Sequence, residues 1–444
     1  MGRHSHKQSL VIWLNGTPVG TWQTSGADHS LTYFSEWLMD EQARPLSLSL
    51  PLRPPSEPYK GTIEGSIVGN YFDNLLPDSD QIRKRLATRF KTHDTSPHHL
   101  LAAIGRDCVG AVQLLQEDET PHDLFTIQGE PLDQAGVADI LKKTVSTTQI
   151  GSNADEDDLR ISIAGAQEKT ALLWHANAWY KPLGSTPTTH ILKLPLGLVG
   201  NAKADFHTSV ENEWLCSKIL AAFGLPVART DIGIFEDQKA LIVERFDRRL
   251  AGDGSWIVRL PQEDFCQVEG ISPLKKYQNE GGPGITQIMN TLRGSTEADA
   301  DRFNFFKTQI IFWLLAAIDG HAKNYSVFLL PGAQFKLTPA YDVLSAHPVL
   351  GSGPNQFSQY KVKLAMAVKG THYHYKLMEV QKKHWVNHAA IVGLGDYMAL
   401  SIIDEIGSST EKVIDEVSKQ IPDEFPHKLA DAIFAGMRAQ CAKL

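Results

Sequence analysis

The sequence predicts an α+β protein, with a strand-rich N-terminal part and a mostly helical C-terminal part. Up to about residue 250, short apolar runs alternate with turn residues, a pattern typical of strands and hairpins. From about Gly254 onward, apolar residues recur at helical spacing. A chain of 444 residues is long enough for two or three domains, which we place at residues 8–118, 125–250 and 251–444.

Residues 8–118 are predicted to form a small α/β subdomain. It begins with a hairpin in which SLVIWL and TPVGTW flank Asn15-Gly16, a pair favoured in type I′ turns because both positions need positive φ. The run LTYFSEWL fits either a further strand or the start of a helix. After a proline-rich loop, GNYFDNLLPD leads into a helix that runs to about Phe90. An acidic stretch near residues 116–122 indicates the boundary.

Residues 125–250 are predicted to form a sheet with two helices. One helix is expected around Gln134–Val145 and another from Thr208 to Phe223. Alternation in RISIA and TALLW predicts two strands joined by a tight loop at Ala164–Lys169. Further strands are predicted at 178–181, 190–194, 227–235 and 240–246.

The part from residue 251 to 444 is predicted to be mostly helical. In its longest helix, Phe306, Ile310 and Trp313 share a broad apolar face. The predicted helices span 261–266, 285–293, 298–318, 375–382, 388–405, 409–420 and 428–441.

Composition narrows the class of protein. A net charge of −8 argues against a surface that binds nucleic acid throughout, although it allows a local basic patch. No apolar run approaches the roughly 18 residues of a membrane helix, and the N-terminus has no apolar signal-peptide core. The four cysteines are scattered, which indicates neither a disulfide framework nor a zinc site. We expect a cytoplasmic protein.

The stretch from Phe312 to Ser345 carries the strongest chemical signal. Asp319 and Asn324 have the D-x-x-x-x-N spacing of a protein-kinase catalytic loop. Two strand-like runs around a Pro-Gly turn follow. The second strand of this hairpin would return the chain to the same site and place Asp342 there. One carboxylate that orients a hydroxyl, with an amide and a second carboxylate for magnesium, is the set that phosphoryl transfer from ATP requires. The alternative is that D-G-H is a turn and that Asp342 caps a helix beginning at Val343.

Two further groups suit a phosphate site. Backbone N–H groups of the small-residue loop Ala164–Lys169 could approach an anion, although the loop lacks the second glycine of a Walker A motif. Lys193, in the apolar strand HILKLP, either points outward or faces a phosphate. A strand lysine followed by a helix glutamate is the ion pair that protein kinases use; Glu211 and Glu213 are both candidates, and Glu213 is preferred.

The segments ISIAGAQEKTAL, THILKLP, VENEWLC, LIVERFDR, DGHAKNYS and LTPAYDVLS together resemble the HipA family, the bacterial serine/threonine kinase toxins of HipA–HipB modules. The resemblance extends from GNYFDNLLPD past Asp342, over most of the chain. It implies a protein-kinase-like two-lobed fold, with an N-terminal α/β part, an extra small subdomain and a mostly helical C-terminal domain. It also implies ATP and Mg²⁺ bound between the two parts.

The resemblance assigns roles to individual residues. Asp319 matches the catalytic base, Asn324 and Asp342 the magnesium ligands, and Ser162 the serine that the family autophosphorylates to inactivate itself. The residues expected to contact the nucleotide or line its site are Ala164, Gly165, Ala166, Gln167, Glu168, Lys169, Lys193, Glu213, His321, Lys323, Asn324, Tyr341 and Asp342, with Glu244, Arg245 and Phe246 as the hinge beside adenine.

The chain departs from protein kinases in two motifs. It has no H-R-D, and Asp342 stands in Y-D-V-L rather than in D-F-G. The form D-x-H-x-x-N, at Asp319 to Asn324, is nearer to lipid kinases. A lipid-kinase-like or small-molecule phosphotransferase is therefore the alternative enzyme, and a catalytically silent scaffold that binds antitoxin and DNA is the alternative outside enzymes.

The resemblance also implies partners. These are a HipB-like helix-turn-helix antitoxin, operator DNA bound through the antitoxin complex, and a protein substrate from the translation machinery, with glutamyl-tRNA synthetase the leading candidate. A basic tract interleaved with tyrosines could contact DNA phosphates, or it is simply a solvated face. Its lysines include Lys363, Lys369, Lys376 and Lys382.

Overall fold

A computed structural model describes residues 8–53, 61–145 and 162–444 of the chain. Helices and antiparallel sheets are mixed throughout the described residues, so the α+β prediction is confirmed. The strands are β1 (Gln8–Leu14), β2 (Thr17–Ser25), β3 (Asp28–Tyr33), β4 (Thr62–Glu64), β5 (Val112–Leu115), β6 (Gly129–Leu132), β7 (Lys169–His175), β8 (Ala178–Pro182), β9 (His190–Lys193), β10 (Gly197–Val199), β11 (Ala204–Phe206), β12 (Thr230–Phe235), β13 (Gln238–Glu244), β14 (Arg248–Leu250), β15 (Ile257–Arg259), β16 (Gln262–Asp264), β17 (Ser326–Leu329), β18 (Phe335–Leu337), β19 (Lys363–Lys369) and β20 (Tyr373–Lys376).

The α-helices are shared between the two halves of the chain. They are α1 (Ser35–Leu38), α2 (Ser66–Asp73), α3 (Asp80–Arg89), α4 (Pro97–Ile104), α5 (Gln134–Val145), α6 (Ser209–Ala222), α7 (Phe265–Val268), α8 (Ile285–Thr291), α9 (Ala298–Leu314), α10 (Lys382–Ile391), α11 (Asp396–Ser418) and α12 (His427–Cys441). No helix among the described residues is long and apolar enough to cross a membrane.

The first sheet has five strands in the order β4-β3-β2-β1-β5. Its opening hairpin confirms the predicted turn, since Asn15 and Gly16 have φ values of 47° and 85°. The run LTYFSEWL supplies both candidates, the end of β3 and then α1. Helices α2 and α4 contribute to a buried apolar core with this sheet, in which Trp22 stacks on Phe72 with ring centroids 3.9 Å apart.

The second sheet has six strands in the order β12-β13-β9-β7-β8-β6. In the centre of the sheet, Lys193 at the end of β9 pairs with Lys169 of β7 on one side and Leu241 of β13 on the other. Directly opposed residues of antiparallel strands point to the same face. The two lysines therefore project from one face of the sheet, the one that bears the candidate site.

The helical part surrounds α9, which carries fully buried Phe306, Ile310 and Trp313 as predicted. The helix ends at Leu314, four residues earlier than expected, because Ala316 adopts a left-handed conformation with φ of 50°. The N–H of Ala317 then bonds to the carbonyl of Phe312 at 2.7 Å, which closes the last turn.

Several predicted elements are wrong. Residues 162–164 of the RISIA run form no strand, and the rest of that run lies outside the described residues. The predicted helix at 375–382 is instead the end of β20, a short 3-10 turn and the start of α10, because Lys376 pairs with Lys363 across a hairpin. Residues 261–266 form β16 and the first turn of α7. The break predicted between the helices at 388–405 and 409–420 is wrong, since α11 is continuous from Asp396 to Ser418.

Candidate active site

The catalytic-loop motif lies between α9 and β17. The side-chain amide of Asn324 connects this motif to Asp342. Its Nδ2 donates to the backbone carbonyls of both Asp319 and Asp342, each at 3.1 Å. Asn324 is buried, and the Asp319 side chain is exposed. Since Nδ2 is used in this way, the Oδ1 of Asn324 is the atom that remains to bind a ligand.

Asp342 has an unusual backbone conformation. Its φ is 60°, in the left-handed region that few residues other than glycine adopt, and such residues cluster at functional sites. Val343 to Ala346 form no helix, so the alternative that Asp342 caps a helix is wrong. The β17–β18 hairpin brings the chain back, as predicted, to place Asp342 beside Asn324.

Lys193 lies at the centre of the site between two carboxylates. Its Nζ is 2.6 Å from Oε1 of Glu213 and 2.7 Å from Oδ1 of Asp342. The preferred partner, Glu213 of α6, is therefore the one that pairs with Lys193, and Glu211 instead bonds to Lys239 at 2.5 Å. The inward orientation of Lys193 follows from this pairing, since a buried ammonium needs anionic partners.

The charges of this triad are mutually stabilised. Burial alone would lower the pKa of Lys193, but Asp342 and Glu213 raise it above its ordinary value. Burial likewise opposes ionisation of Asp342, yet Lys193 and Lys169 hold its pKa well below the usual range. Burial raises the pKa of Glu213 to about 6, even though Lys193 acts against this rise. At neutral pH, one lysine therefore balances two carboxylates.

The predicted phosphate loop lies against these groups. Lys169 donates from Nζ to the carbonyl of Ala164 at 2.7 Å, and burial together with nearby Lys193 lowers its pKa to about 8. Gly165 has φ of 110°, a conformation that favours glycine. Ala166, at the tip, is exposed, and Gln167 donates from Nε2 to the carbonyl of Leu194 at 2.6 Å.

Ser162 and Glu168, at the two ends of this loop, face the N-terminal subdomain. The hydroxyl of Ser162 is fully buried and donates to the carbonyl of Leu75 at 2.8 Å. The carboxylate of Glu168 pairs with Arg85 of α3. Because residues 162–164 are not a strand, these contacts, rather than a β-hairpin, hold the loop.

The hinge prediction requires a correction at Arg245. Its guanidinium is 2% exposed and forms ion pairs with Asp247 at 2.9 Å and with Asp107 at 3.3 Å, while also donating to Thr188 at 2.9 Å. It therefore faces the N-terminal subdomain. The backbone N–H of Arg245 donates to the carbonyl of Thr189 at 2.9 Å, and its carbonyl accepts from the N–H of Arg248 at 3.2 Å. Arg248 and Arg259 complete this buried cluster around Asp107.

The other two hinge residues are placed differently. Glu244 is exposed, and its carboxylate is 3.8 Å from Arg229. Phe246 packs against Tyr341 with ring centroids 5.6 Å apart and against Phe328 at 5.8 Å. This aromatic group lies beside the end of β13, where a planar base could stack.

Lys323 also departs from its predicted role. Its Nζ is buried and donates to the carbonyl and the Oδ1 of Asn74, at 2.8 and 2.9 Å, and it lies 3.3 Å from Asp264. It therefore binds the N-terminal subdomain rather than lining a nucleotide site. By contrast, the Nδ1 of buried His321 has no hydrogen-bond partner among the described residues.

One residue at the site was missed by sequence reasoning. The hydroxyl of Tyr277 donates to the carboxylate of Asp319, and its ring meets that of His321 edge-on, with centroids 5.1 Å apart. Tyr277 lies 42 residues before Asp319, in a turn followed by two glycines. No local spacing relates it to the catalytic motif, so only the folded chain shows the contact.

The oxygen donors of the site suit a hard divalent cation. The carboxylate of Asp342 and the Oδ1 of Asn324 are ligands of the kind that Mg²⁺ prefers, and the Asp342 side chain is 36% exposed. Asp342 contacts Lys193 and Asn324 contacts Asp319, so a metal bound by these two ligands would lie where it could hold phosphate oxygens. The residues present therefore fit the expected ion.

The lysines of the basic tract are partly neutralised. Lys376 pairs with Glu379 at 2.8 Å, and Lys382 pairs with Asp404 at 3.4 Å. The Nζ of Lys369 lies 4.9 Å from the centre of the Tyr373 ring, and Lys363 is exposed. The four lysines lie around the β19–β20 hairpin and the start of α10, outside the candidate site.

Comparison with known proteins accounts for both parts of the chain. Residues 161–421 match the HipA-like C-terminal domain, and residues 10–115 match the HipA N-terminal domain. The chain belongs to the HipA family. A relative from Sinorhizobium fredii, the putative kinase Y4mE, is 32% identical over 442 residues, which cover 98% of each protein.

More distant HipA proteins support the same fold. The serine/threonine-protein kinase toxin HipA of Shewanella oneidensis is 25% identical over 347 residues, covering 76% of this chain and 72% of the relative. A solved structure of the HipA–HipB–operator DNA complex from Shewanella oneidensis superposes with a TM-score of 0.79 at 23% identity, covering 97% of this chain and 96% of the solved one. This likeness shows that the two chains share a fold over nearly their whole lengths.

Proposed function

We propose that this HipA-family chain is an ATP- and magnesium-dependent serine/threonine protein kinase. The observation that carries the proposal is the joined set of Lys193, Glu213, Asp342 and Asn324, with Asp319 at its exposed edge. These are the groups, in the mutual contacts, that phosphoryl transfer uses. The names of the relatives as kinases agree with it.

In the proposed reaction, the oxygen of a serine or threonine hydroxyl forms a bond to the γ-phosphorus of ATP. The bond from that phosphorus to the β–γ bridging oxygen breaks, ADP leaves, and the hydroxyl proton passes to the Asp319 carboxylate. Lys193, kept charged by its two partners, binds phosphate oxygens. Magnesium, held by Asn324 and Asp342, would neutralise charge on the phosphates.

We further propose that the chain inactivates itself by phosphorylation of Ser162. The serine lies at the edge of the phosphate loop, and its buried hydroxyl donates to Leu75. A phosphate on Ser162 would add about −1.5 to −2 charge and remove the hydroxyl that donates to Leu75. The buried position cannot accommodate that charge. The modified loop would leave its place, and the nucleotide site would lose that wall.

The proposed partners rest on membership of the HipA family. We propose a HipB-like helix-turn-helix antitoxin, and contact with operator DNA within that complex through Lys363, Lys369, Lys376 and Lys382. Because Lys376 and Lys382 are already paired with carboxylates, Lys363 and Lys369 are the stronger candidates. Lys363→Glu should lower the affinity of the complex for operator DNA and reduce its salt dependence; an unchanged salt dependence would assign the lysine to a solvated face.

The protein substrate is proposed to be a component of the translation machinery, with glutamyl-tRNA synthetase as the first to test. Incubation of the purified synthetase with the kinase and ATP should add phosphate to a serine or threonine of the synthetase. Asp319→Ala is the control that should abolish the transfer.

Intact-protein mass spectrometry after incubation with ATP and magnesium tests the chemistry itself. The wild type should gain one phosphate, whereas Asp319→Ala, Asp342→Ala and Ser162→Ala should gain none. If the wild type also gains none while calorimetry shows nucleotide binding, the protein is a small-molecule phosphotransferase or a scaffold instead. A phosphate on a residue other than Ser162 would refute the self-inactivation proposal alone.

A further inference from the structure

The N-terminal subdomain reaches into the candidate active site through one segment. Residues 74–85, the bridging segment, connect the end of α2 to the middle of α3. One side of this segment contacts the phosphate loop, and the other contacts the residues around the catalytic motif. None of the candidate site residues identified in the sequence lies in residues 8–118, yet this segment contacts both loops.

On the phosphate-loop side, the contacts run along the loop. The carbonyl of Leu75 accepts from the Ser162 hydroxyl at 2.8 Å, and the N–H of Asp78 donates to the carbonyl of Gly165 at 3.0 Å. Arg85 then pairs with Glu168 at the end of the loop. Backbone contacts and one ion pair thus define the position of the loop.

On the catalytic side, Asn74 and Asp78 of the bridging segment bind the ammonium groups of two lysines. Lys323, directly before Asn324, donates to Asn74 at 2.8 and 2.9 Å and lies 3.7 Å from Asp78. Lys276, directly before Tyr277, pairs with Asp78 at 2.8 Å. The carbonyl of Lys276 accepts from the N–H of Ala322 at 3.2 Å, so both lysines belong to one connected structure.

The charge of Asp78 is well defined at neutral pH. Burial raises the pKa of its carboxyl, but Lys323 and Lys276 outweigh burial and lower the pKa below the ordinary value. The side chain is about 10% exposed, so its two ion pairs are shielded from solvent. In such surroundings, removal of one partner leaves an uncompensated buried charge.

We propose that Asn74, Asp78 and Arg85 are positioning residues for phosphoryl transfer, and that the N-terminal subdomain is thereby part of the active site. This inference rests on the proposed kinase function. Asn74 and Asp78 fix Lys323, which precedes Asn324, and Asp78 also fixes Lys276, whose carbonyl binds Ala322 of the catalytic loop; together they fix the geometry of the transfer step. Arg85 fixes the phosphate loop, and so the binding of ATP.

The rate of autophosphorylation of the full-length chain, measured by intact-protein mass spectrometry over a range of ATP concentrations, gives a maximal rate constant (kcat) and a KM for ATP. These two quantities separate the two roles. Asp78→Asn should lower kcat by about 10- to 100-fold, since displacement of reacting groups by an ångström has such effects, with the KM for ATP changed little. Arg85→Gln should instead raise the KM for ATP with a smaller effect on kcat. Asp80→Asn is the matched control, since Asp80 is an exposed carboxylate two residues from Asp78, and it should behave as the wild type.

Folding defects are distinguished by a second pair of variants. If Asp78→Asn does not fold, Lys276→Gln breaks the same ion pair from the other side, and Lys276→Arg should restore kcat by keeping the charge. Wild-type kcat in Asp78→Asn or Lys276→Gln would overturn the proposal. Equal losses in every kinetic parameter, parallel to a lower melting temperature, would also overturn it by showing a purely structural role. Absence of transfer in the wild type would instead count against the kinase function itself.

Discussion

Replacing Glu263 with glutamine is expected to remove a pH dependence of stability that the wild-type chain carries. Glu263, on β16, is fully buried. Its Oε1 accepts from the N–H of Leu48 at 2.7 Å, and its Oε2 has no hydrogen-bond partner among the described residues. Burial raises the pKa of this carboxyl from 4.5 to about 8, so it keeps its proton in the folded chain at neutral pH.

The size of the effect follows from proton linkage. Below pH 4.5 the carboxyl is protonated in both the folded and the unfolded chain, and its stabilising contribution is complete. As the pH rises to 8, only the unfolded chain loses the proton, so the contribution is lost; above pH 8 no further change occurs. With about 1.4 kcal/mol per pKa unit, the loss is about 1 kcal/mol at pH 5, about 3 at pH 7 and about 5 at pH 9.

The measurement compares urea unfolding of wild type and Glu263→Gln at pH 5, 7 and 9, followed by tryptophan fluorescence. The variant's advantage in free energy of unfolding should grow by about 4 kcal/mol between pH 5 and 9. Other titrating groups cancel in this difference. Glu416→Gln, at an exposed position on α11, should show no such trend. A constant difference between Glu263→Gln and wild type across this range would refute the reasoning.

Three further predictions concern the site. Tyr277→Phe removes the hydroxyl that donates to the Asp319 carboxylate and competes with the substrate hydroxyl for it. Autophosphorylation should therefore speed up about fivefold, for a hydrogen bond worth about 1 kcal/mol. A slower variant would mean that Tyr277 orients Asp319 for transfer. Glu213→Gln removes the negative charge that pairs with Lys193, so phosphate transfer should fall about 10- to 100-fold. For the same reason, wild-type activity should fall as the pH drops through 6, where Glu213 gains a proton. Activity independent of pH from 5 to 7 would contradict this. Lys169 loses its charge as the pH rises through about 8. ATP affinity measured by calorimetry should therefore decrease from pH 7 to 9 in the wild type but stay level in Lys169→Met. The same slope in both proteins would show that the charge of Lys169 does not contribute to ATP binding.

The site could be predicted from the sequence where its residues are close in the chain or follow a spaced pattern. Asp319, Asn324 and Asp342 are separated by one hairpin, and the Lys193–Glu213 pair combines a strand with the helix that follows it. Those local relations survive folding because each element keeps its geometry.

Long-range contacts were not predictable in the same way. Lys323 was expected at the nucleotide, but it turns to Asn74, 249 residues earlier in the chain. Arg245 was expected beside adenine, but Asp107 and Asp247 bind it. A buried cation goes where oxygen acceptors are available, and no local pattern in the sequence identifies distant acceptors such as Asn74 and Asp107.

The fold shows the same division. The Asn15-Gly16 hairpin was predictable because its turn chemistry is local. Tyr375 and Lys376 were predicted to begin a helix, but they end a strand. The partner strand Lys363–Lys369 lies across a loop and supplies the pairing that overrides local preference.

The buried arginine cluster around Asp107 has a consequence for synthesis of the chain. The ribosome adds Asp107 before the three arginines that share its carboxylate, which are Arg245, Arg248 and Arg259. Arg259 follows Asp107 by 152 residues. At about 5 to 20 residues per second, this interval lasts roughly 8 to 30 s on the ribosome. During that time, the nascent N-terminal subdomain holds a carboxylate without its arginines. Its final packing must therefore await the middle of the chain, and a separately expressed fragment that ends near residue 118 should be less stable than the same subdomain in the full protein.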